Sequence, residues 1–566
     1  MRAKADAMSR DILDVAIVGG GVSGCYCGYR LLTADPAIPA LQDMLRASGS
    51  DSLSVALFEA SDRIGGRLWS HRFPETPSLV ADMGGVGFSP LHANVHGLCT
   101  KELNLKTEPA DEFKVINLQY IRAHRYAFSD YKPDPRWDRH YPEIVPFFLT
   151  DEEKRQFPTD LMLAAFVKAV PDVGALLHEL QIFVGNPDKA LAIIAKLDAI
   201  LRTARTTGTG LPLYDCGFWD LLSQNASQEA YDMVTLSSGF YSNTQNWNAY
   251  NLLLGATIDF SVVQDWTKLK DGYDALPKEM VRRFKELGGE VHTGTRLLGL
   301  EPEGRGASAV LGMRLQSQGT VQTQLARNVI LALPQRSVRL LIEDTFLARQ
   351  QQFLDDLGTV TCEPASKLFL TFAEPWWRKV PTPPGQTEAT IQRGQSATDL
   401  PMRLCYYLGT EENGRSLLLA SFTDSIGVEY WNGYLPHGRY RLSDRGAGPT
   451  PLLFDPPDAM IADIVRQLGV MHEIDVPAPL SAKFVNWSGD PYGGGYHFWN
   501  THVRSWEVMP RIRRPAPDAN VFLCGEAFSA KQGWVEGAIN TAEMTLETYF
   551  GLPRPEWAPK DYDFGA

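Results

Sequence analysis

The spacing of hydrophobic and polar positions divides this chain into stretches of different period. Near the start, Leu13-Asp-Val-Ala-Ile-Val18 is a short apolar run ending in glycines, and residues of helical character follow from 22 to 32. That order predicts a strand, a tight turn and a helix. A polar, proline-bearing stretch at 33–51 predicts a surface insertion, and the apolar run at 54–59 predicts the partner strand of a βαβ unit. Between 103 and 250 the pattern is mostly helical, most regularly at 161–200, and predicts an inserted helical region. From 272 onward a helix is predicted over 276–287, a strand at 290–292, and a buried strand at 329–333 stopped by Pro334. Aromatic and β-branched residues crowd 367–499, which suits an antiparallel sheet. A last strand at 520–524 leads to a helix over 534–550, and the proline-rich tail 551–566 predicts irregular structure.

Composition narrows the classes. A chain of 566 residues is too long for one simple core, so two or three domains are expected. Its hydrophobic fraction of 44% and charged fraction of 21% are ordinary for a globular protein. A formal net charge of -13 without any long basic run argues against nucleic acid as a partner. No signal-like apolar stretch opens the chain, and no run of about 18 apolar residues follows, so no membrane is expected and the expected location is cytoplasmic. Cys25, Cys27, Cys99, Cys216, Cys362, Cys405 and Cys524 form no CxxC pair and read as free thiols of a reducing compartment. His92 and His96 lie four apart with Cys99 close behind, but without a second ligand cluster a helix-surface histidine pair is the better reading, and no metal is expected.

Candidate chemistry begins at the first turn. Gly19, Gly21 and Gly24 form a GxGxxG between strand and helix: the first permits the turn, the second lets a pyrophosphate approach, and the third lets helix and strand pack. Glu59 ends the second strand, where a carboxylate can accept from ribose hydroxyls; it lies 35 residues past Gly24, an excess matched by the insertion at 33–51. Arg63-Ile-Gly65-Gly66-Arg67 follows, with two guanidinium groups able to neutralise a pyrophosphate and glycines that bring backbone N–H groups toward the cofactor.

This series resembles the N-terminal signature of the flavin amine oxidase family, which includes monoamine, polyamine and L-amino acid oxidases. Further likeness is spread in order along the chain: Asp82-Met-Gly84-Gly85, Gly272-Tyr-Asp274-Ala-Leu-Pro277, Val329-Ile-Leu-Ala-Leu-Pro334, Lys367 before Pro375-Trp-Trp377, Asp490-Pro-Tyr492, and Gly525-Glu526 with Gly533-Trp-Val-Glu-Gly-Ala538. The resemblance implies FAD as cofactor and a mixed α/β and α+β fold. A Rossmann-like FAD-binding domain would comprise 12–102, 258–340 and 515–550, a helical region 103–257, an antiparallel-sheet substrate domain 341–514, and a tail 551–566. Gly84, Gly85, Val291, Glu526, Trp534 and Val535 would join Gly19, Gly21, Gly24, Glu59, Arg63, Gly66 and Arg67 around the cofactor. The helix after Gly533 would turn its N-terminus to the flavin pyrimidine ring, where its dipole stabilises the anionic reduced form.

For the reacting centre, the resemblance implies that Lys367 holds a water near flavin N5 and assists reaction with molecular oxygen, and that Trp534 stands beside the flavin and confines the amine. Tyr406, Tyr407 and Tyr496 are candidates for a second aromatic wall, though core packing fits each as well. L-amino acid oxidases of this family commonly carry an arginine shortly after the Gly-Gly pair, for the substrate carboxylate; here Gly87 stands in its place. Arg403, close to Tyr406, could take over that role, or the substrate lacks a carboxylate. The surrounding motifs look most like bacterial L-amino acid oxidases. The leading expectation is therefore oxidation of an L-amino acid to a 2-oxo acid, ammonia and hydrogen peroxide. A primary amine or polyamine oxidase, a decarboxylating monooxygenase and a flavin-bound scaffold protein stand as alternatives, and a homodimer is left open.

Overall fold

The computed structural model describes residues 12–113, 115–127, 146–182, 186–259, 265–304, 310–381, 390–435, 453–489, 491–560 and 562–565; Asp490 of the Asp-Pro-Tyr motif lies outside them. The first strand, Leu13–Val18, is buried at five of its six positions, as a strand covered on both faces must be. It pairs in parallel with Val55–Phe58 on one side and with Thr320–Leu331 on the other. Among the described residues these belong to a seven-stranded sheet, which Glu290–His292 and Val521–Leu523 extend in parallel. The long strand Thr320–Leu331 changes partner type along its length: its first half pairs antiparallel with Val310–Ser317, and its second half joins the parallel core.

Helix Val22–Thr33 lies against this sheet and packs on Ala275–Glu286 and Val535–Phe550 in one apolar core. Gly28 permits the first of these approaches, since a Cβ there would stand 3.1 Å from the Phe284 ring. The parallel strands with helices packed against them make this part Rossmann-like, and three widely separated stretches of chain supply its strands.

A second, eight-stranded sheet among the described residues runs in the order Leu453–Phe454, Ser481–Asn486, Ala365–Phe372, Ser416–Asp424, Leu404–Thr410, Gly394–Thr398, Ile116–Ile121 and His124–Ala127. Its strand Ala365–Phe372 is buried at every position. Leu368, Leu370 and Phe372 pack with Trp376, Trp377 and helix Asp458–His472, while Phe369 packs with Met83, Tyr406 and Trp487 on the other face. The helical stretch has an interior of its own, built from helices such as Pro158–Ala169, Pro187–Leu201 and Gln228–Ser237.

Two local expectations fail for identifiable reasons. Within 33–51 a helix forms over Pro39–Ser48, started by a proline at its first position and stopped by left-handed Gly49; Leu41 docks it on the core. The predicted helical region opens instead with strands Thr107–Pro109, Ile116–Ile121 and His124–Ala127. Ile116–Ile121 adds in parallel to Gly394–Thr398, so a distant partner decides its conformation. The tail forms no helix or strand among its described residues, as expected, and it packs back on the core, with Trp557, Tyr562 and Phe564 buried.

No described helix is long and apolar enough to cross a membrane. All seven cysteines are free, six of them buried and Cys362 partly exposed.

Candidate active site

A long cleft opens where the first parallel strand turns into its helix. Gly19 has a φ of 109°, and a Cβ there would stand 2.3 Å from the Ala332 carbonyl oxygen; at Gly24 it would stand 2.0 Å from the Gly19 oxygen. Gly21 meets nothing within 4 Å, so its backbone faces open cleft. Glu59, on the next strand, accepts from the Gly20 N–H at 2.6 Å and from the Ser61 N–H at 2.8 Å, and it lines the same cleft. One free turn, one open backbone position and a carboxylate at the strand end are what a dinucleotide requires.

Arg63 and Arg67, alike in sequence, diverge in space. Arg63 donates to the Gly66 carbonyl at 2.6 Å and to the Leu68 carbonyl at 3.4 Å, and lies 4.3 Å over the Trp69 ring. It braces its own turn and does not line the cleft, contrary to the expectation of two guanidinium groups on the pyrophosphate. Arg67 does line it, donating to the Gly495 carbonyl at 2.8 Å and pairing with Glu526 at 2.9 Å.

Glu526 gathers the C-terminal side. It accepts from the His497 N–H at 2.9 Å, His497 Nδ1 at 2.8 Å and the Gly533 N–H at 2.7 Å. Burial alone would raise its pKa, but Arg67, His497 and the Gly533 N–H hold it down to about 2. For His497 burial works against charge, and Glu526 and Cys362 outweigh it, lifting the imidazole to about 9. Glu526, Trp534 and Val535 line the cleft together with Gly66 and Gly85. Gly24 and Gly84 stand behind the lining as close-packing positions; a Cβ at Gly84 would lie 1.8 Å from the Arg67 carbonyl oxygen. Val291 does not line the cleft: it sits in Glu290–His292 and packs into the core, and that wall comes from Thr295, Arg296, Leu297 and Leu298. The sequence signal placed this contact one strand too early.

Lys367 is buried and donates to the carbonyls of Asp82 at 2.9 Å and Gly84 at 2.6 Å, directly behind cleft-lining Gly85. Burial pulls its ammonium down to about 8, with Asp82 partly opposing. Burial likewise raises Asp82 to about 6, against hydrogen bonds from Ser70 and the Tyr273 N–H and the charge of Lys367. The ammonium also lies 4.6 Å over the Phe422 ring.

From Phe422 a chain of rings leads to Trp534. Tyr406 stands 6.4 Å from Phe422, Phe113 5.8 Å from Tyr406, Trp266 5.6 Å from Phe113, and Trp534 5.1 Å from Trp266. His92 lies 4.6 Å from Trp534; burial and the nearby Lys531 drive its pKa down to about 3, so the ring is neutral. It is thus a buried neighbour of the wall and not a helix-surface residue. Sequence reading missed Phe113 and Trp266, which lie in segments of no recognisable motif. Of the other tyrosines, Tyr407 packs on the opposite sheet face against Trp377 and bonds His472 Nε2 at 2.6 Å. Tyr496 donates to Asp424 at 2.8 Å.

Neither position considered for the carboxylate offers a free cation. A Cβ at Gly87 would fall 2.6 Å from the Thr267 carbonyl oxygen, because the neighbouring Phe88 is bridged to Thr267 by two backbone hydrogen bonds. Arg403 is fully buried, donates to the Thr398 carbonyl at 3.0 Å and the Thr235 carbonyl at 2.7 Å, and stacks on Tyr241 at 4.4 Å. Both terminal nitrogens are thus engaged by backbone carbonyls, while Nε is buried without a hydrogen-bond partner. Among the described residues no group of three or more His, Cys, Asp or Glu side chains is placed to hold a metal.

The family model for flavin-containing amine oxidoreductases matches residues 42–545, and the chain belongs to that family. It is similar to Aplysianin-A of Aplysia kurodai, 25% identical over 96% of this chain and 91% of the relative. It is also similar to an L-amino-acid oxidase of Mus musculus, 24% identical over 93% of this chain and 69% of the relative. Among solved structures, a redesigned putrescine oxidase superposes with a TM-score of 0.62 at 16% identity, covering 95% of this chain and 99% of that one. The cofactor is FAD, and the glycine floor, Glu59 and Arg67 fit it.

Proposed function

We propose that this protein oxidatively deaminates an L-amino acid, yielding a 2-oxo acid, ammonia and hydrogen peroxide. The observation that supports the reading is a chain of rings that runs from Phe422, under the buried Lys367 ammonium, through Tyr406, Phe113 and Trp266 to Trp534 at the wall of the FAD cleft. Bound there, FAD supplies the acceptor for hydride from the substrate's α-carbon.

The residues contribute environment and position. Trp534, Trp266, Phe113 and Tyr406 make an apolar surround that disfavours an ammonium and so helps the substrate amine lose its proton before hydride leaves. Lys367 spends two of its three donors on Asp82 and Gly84; the third is left for a water at the wall formed by Gly85. That water is the group through which Lys367 assists oxygen. The helix Val535–Phe550 directs its positive end at the cleft wall.

An α-amino acid is favoured by the likeness to L-amino-acid oxidases over nearly the whole chain. A simple amine or polyamine is the second reading, and one observation favours it: Gly87 is closed by Thr267 and both terminal nitrogens of Arg403 are engaged by backbone carbonyls, so neither expected position supplies a free guanidinium. Peroxide release assayed across the common L-amino acids and their decarboxylated amines separates the two. Release with amines alone would sink the amino-acid reading.

A further inference from the structure

The closing segment is tied to the FAD cleft through one hydroxyl. Trp557, Tyr562 and Phe564 are buried in the core that holds the first helix. Arg513 donates to the Gly565 carbonyl at 2.9 Å, Arg554 to the Tyr562 carbonyl at 2.9 Å, and Trp557 Nε1 to Asn94 Oδ1 at 3.0 Å. These contacts make a strap of what the sequence presents as a loose tail.

At its centre, the Tyr562 hydroxyl donates to Glu536 and accepts from the Lys531 ammonium, which also lies 4.2 Å from the Tyr562 ring centroid. Glu536 also accepts from the Asn94 N–H at 3.0 Å and the Val95 N–H at 2.8 Å. Lys531 stands two residues before Gly533, and Glu536 directly follows Val535. The segment between them, Gly533, Trp534 and Val535, lines the cleft. One strap residue therefore grips the chain on both sides of the cofactor wall.

We propose that Tyr562 is a positioning residue for FAD: by joining Lys531 to Glu536 it fixes Gly533, Trp534 and Val535 at the cleft. Burial keeps the Tyr562 phenol protonated, with Glu536 adding to that effect, so the hydroxyl stays a donor. Lys531 is pulled down by burial and held up by Glu536 and Asp563, so its charge depends on the same network. Removing the hydroxyl leaves a buried carboxylate and a half-buried ammonium each short of a partner, and the segment between them free to shift. The inference requires FAD in the cleft and is independent of which amine is oxidised.

Tyr562→Phe in the full-length protein tests it, with FAD titrated into apoprotein, the visible flavin spectrum recorded, and Tm measured separately. The expected result is FAD affinity weakened roughly tenfold with altered visible bands. Leu552→Ala serves as the control: it removes a buried apolar anchor of the same strap that has no bond to Lys531 or Glu536, and should lower Tm while leaving FAD affinity within about twofold. Wild-type affinity and spectrum in Tyr562→Phe, or an equal loss of affinity in Leu552→Ala, would overturn the proposal. If Tyr562→Phe does not fold, Glu536→Gln takes its place, and unchanged FAD affinity there overturns it equally.

Discussion

The floor of the cleft and the aromatic wall that leads away from Trp534 are built from different materials. The floor is largely backbone: Gly19, Gly21 and Gly66 expose peptide groups, and Glu59, Arg67 and Glu526 add charge at three points. The wall is all side chain, with Phe113, Trp266, Tyr406, Phe422 and Trp534 drawn from five separate segments. A backbone cradle constrains sequence locally, because only glycine satisfies the turn and the close approach. An apolar wall constrains only size and polarity, so many residues at many positions would serve. The cofactor is thus specified more sharply than the substrate.

The largest expected effect breaks the floor. Gly24→Val would push a side chain against the Gly19 carbonyl, 2.0 Å from where its Cβ must lie, and should abolish bound flavin in the purified protein. A yellow Gly24→Val protein would contradict the assigned role of that approach. Also at the floor, Arg67→Ala leaves Glu526 buried with His497 as its remaining charged partner. The expected loss is on the order of 2 kcal/mol, about thirtyfold in FAD affinity by titration of apoprotein. The variant should also be more acid-sensitive. The pKa of Glu526 is depressed to about 2, so its contribution is complete above the unfolded value near 4.3 and is lost as pH falls toward 2; weaker depression moves that loss to higher pH.

Substitutions at the wall should act on turnover and leave FAD in place. Lys367→Met is expected to slow flavin reoxidation about a hundredfold in stopped-flow mixing with oxygen, while anaerobic reduction by substrate changes little. Unchanged oxygen kinetics would remove its assigned role. Trp266→Ala should raise KM roughly tenfold with FAD affinity unaltered, and an equal loss of flavin would blur the division between floor and wall.

The smallest effect concerns Glu363, whose strand Val360–Glu363 pairs with Tyr496–Trp499. Burial and the charge of Asp424 raise Glu363 to about 8, Ser425 opposing. The folded state therefore holds this proton more tightly than the unfolded chain. Its stabilising contribution is full below about pH 4.3 and declines as pH rises to 8. Glu363→Gln should flatten that decline, raising Tm at pH 8 by on the order of 2–5 °C.

Much of this was legible in the residues. The βαβ opening, GxGxxG, Glu59, the Gly525-Glu526 corner and the final helix stand where local pattern placed them, because turns, caps and strand ends are decided by near neighbours. What could not be read depends on distant partners. Arg63 and Arg67 differ only in which way the turn at Gly65 and Gly66 aims them. Val291 and Leu297 are both apolar residues near strand ends, and only the sheet order shows which meets the cleft. Trp266 carries no motif, and the strap hides in a proline-rich tail, where Trp557 finds its partner Asn94 more than 450 positions upstream.

The most direct test of the central claim is anaerobic reduction of the purified flavoprotein by paired substrates, each L-amino acid against its decarboxylated amine, followed in the visible flavin band. The proposed oxidation of an L-amino acid at this FAD cleft predicts bleaching within the mixing experiment by at least one L-amino acid and no bleaching by its amine. A protein that is colourless, or a flavin that stays oxidised with every amino acid and amine offered, would contradict it.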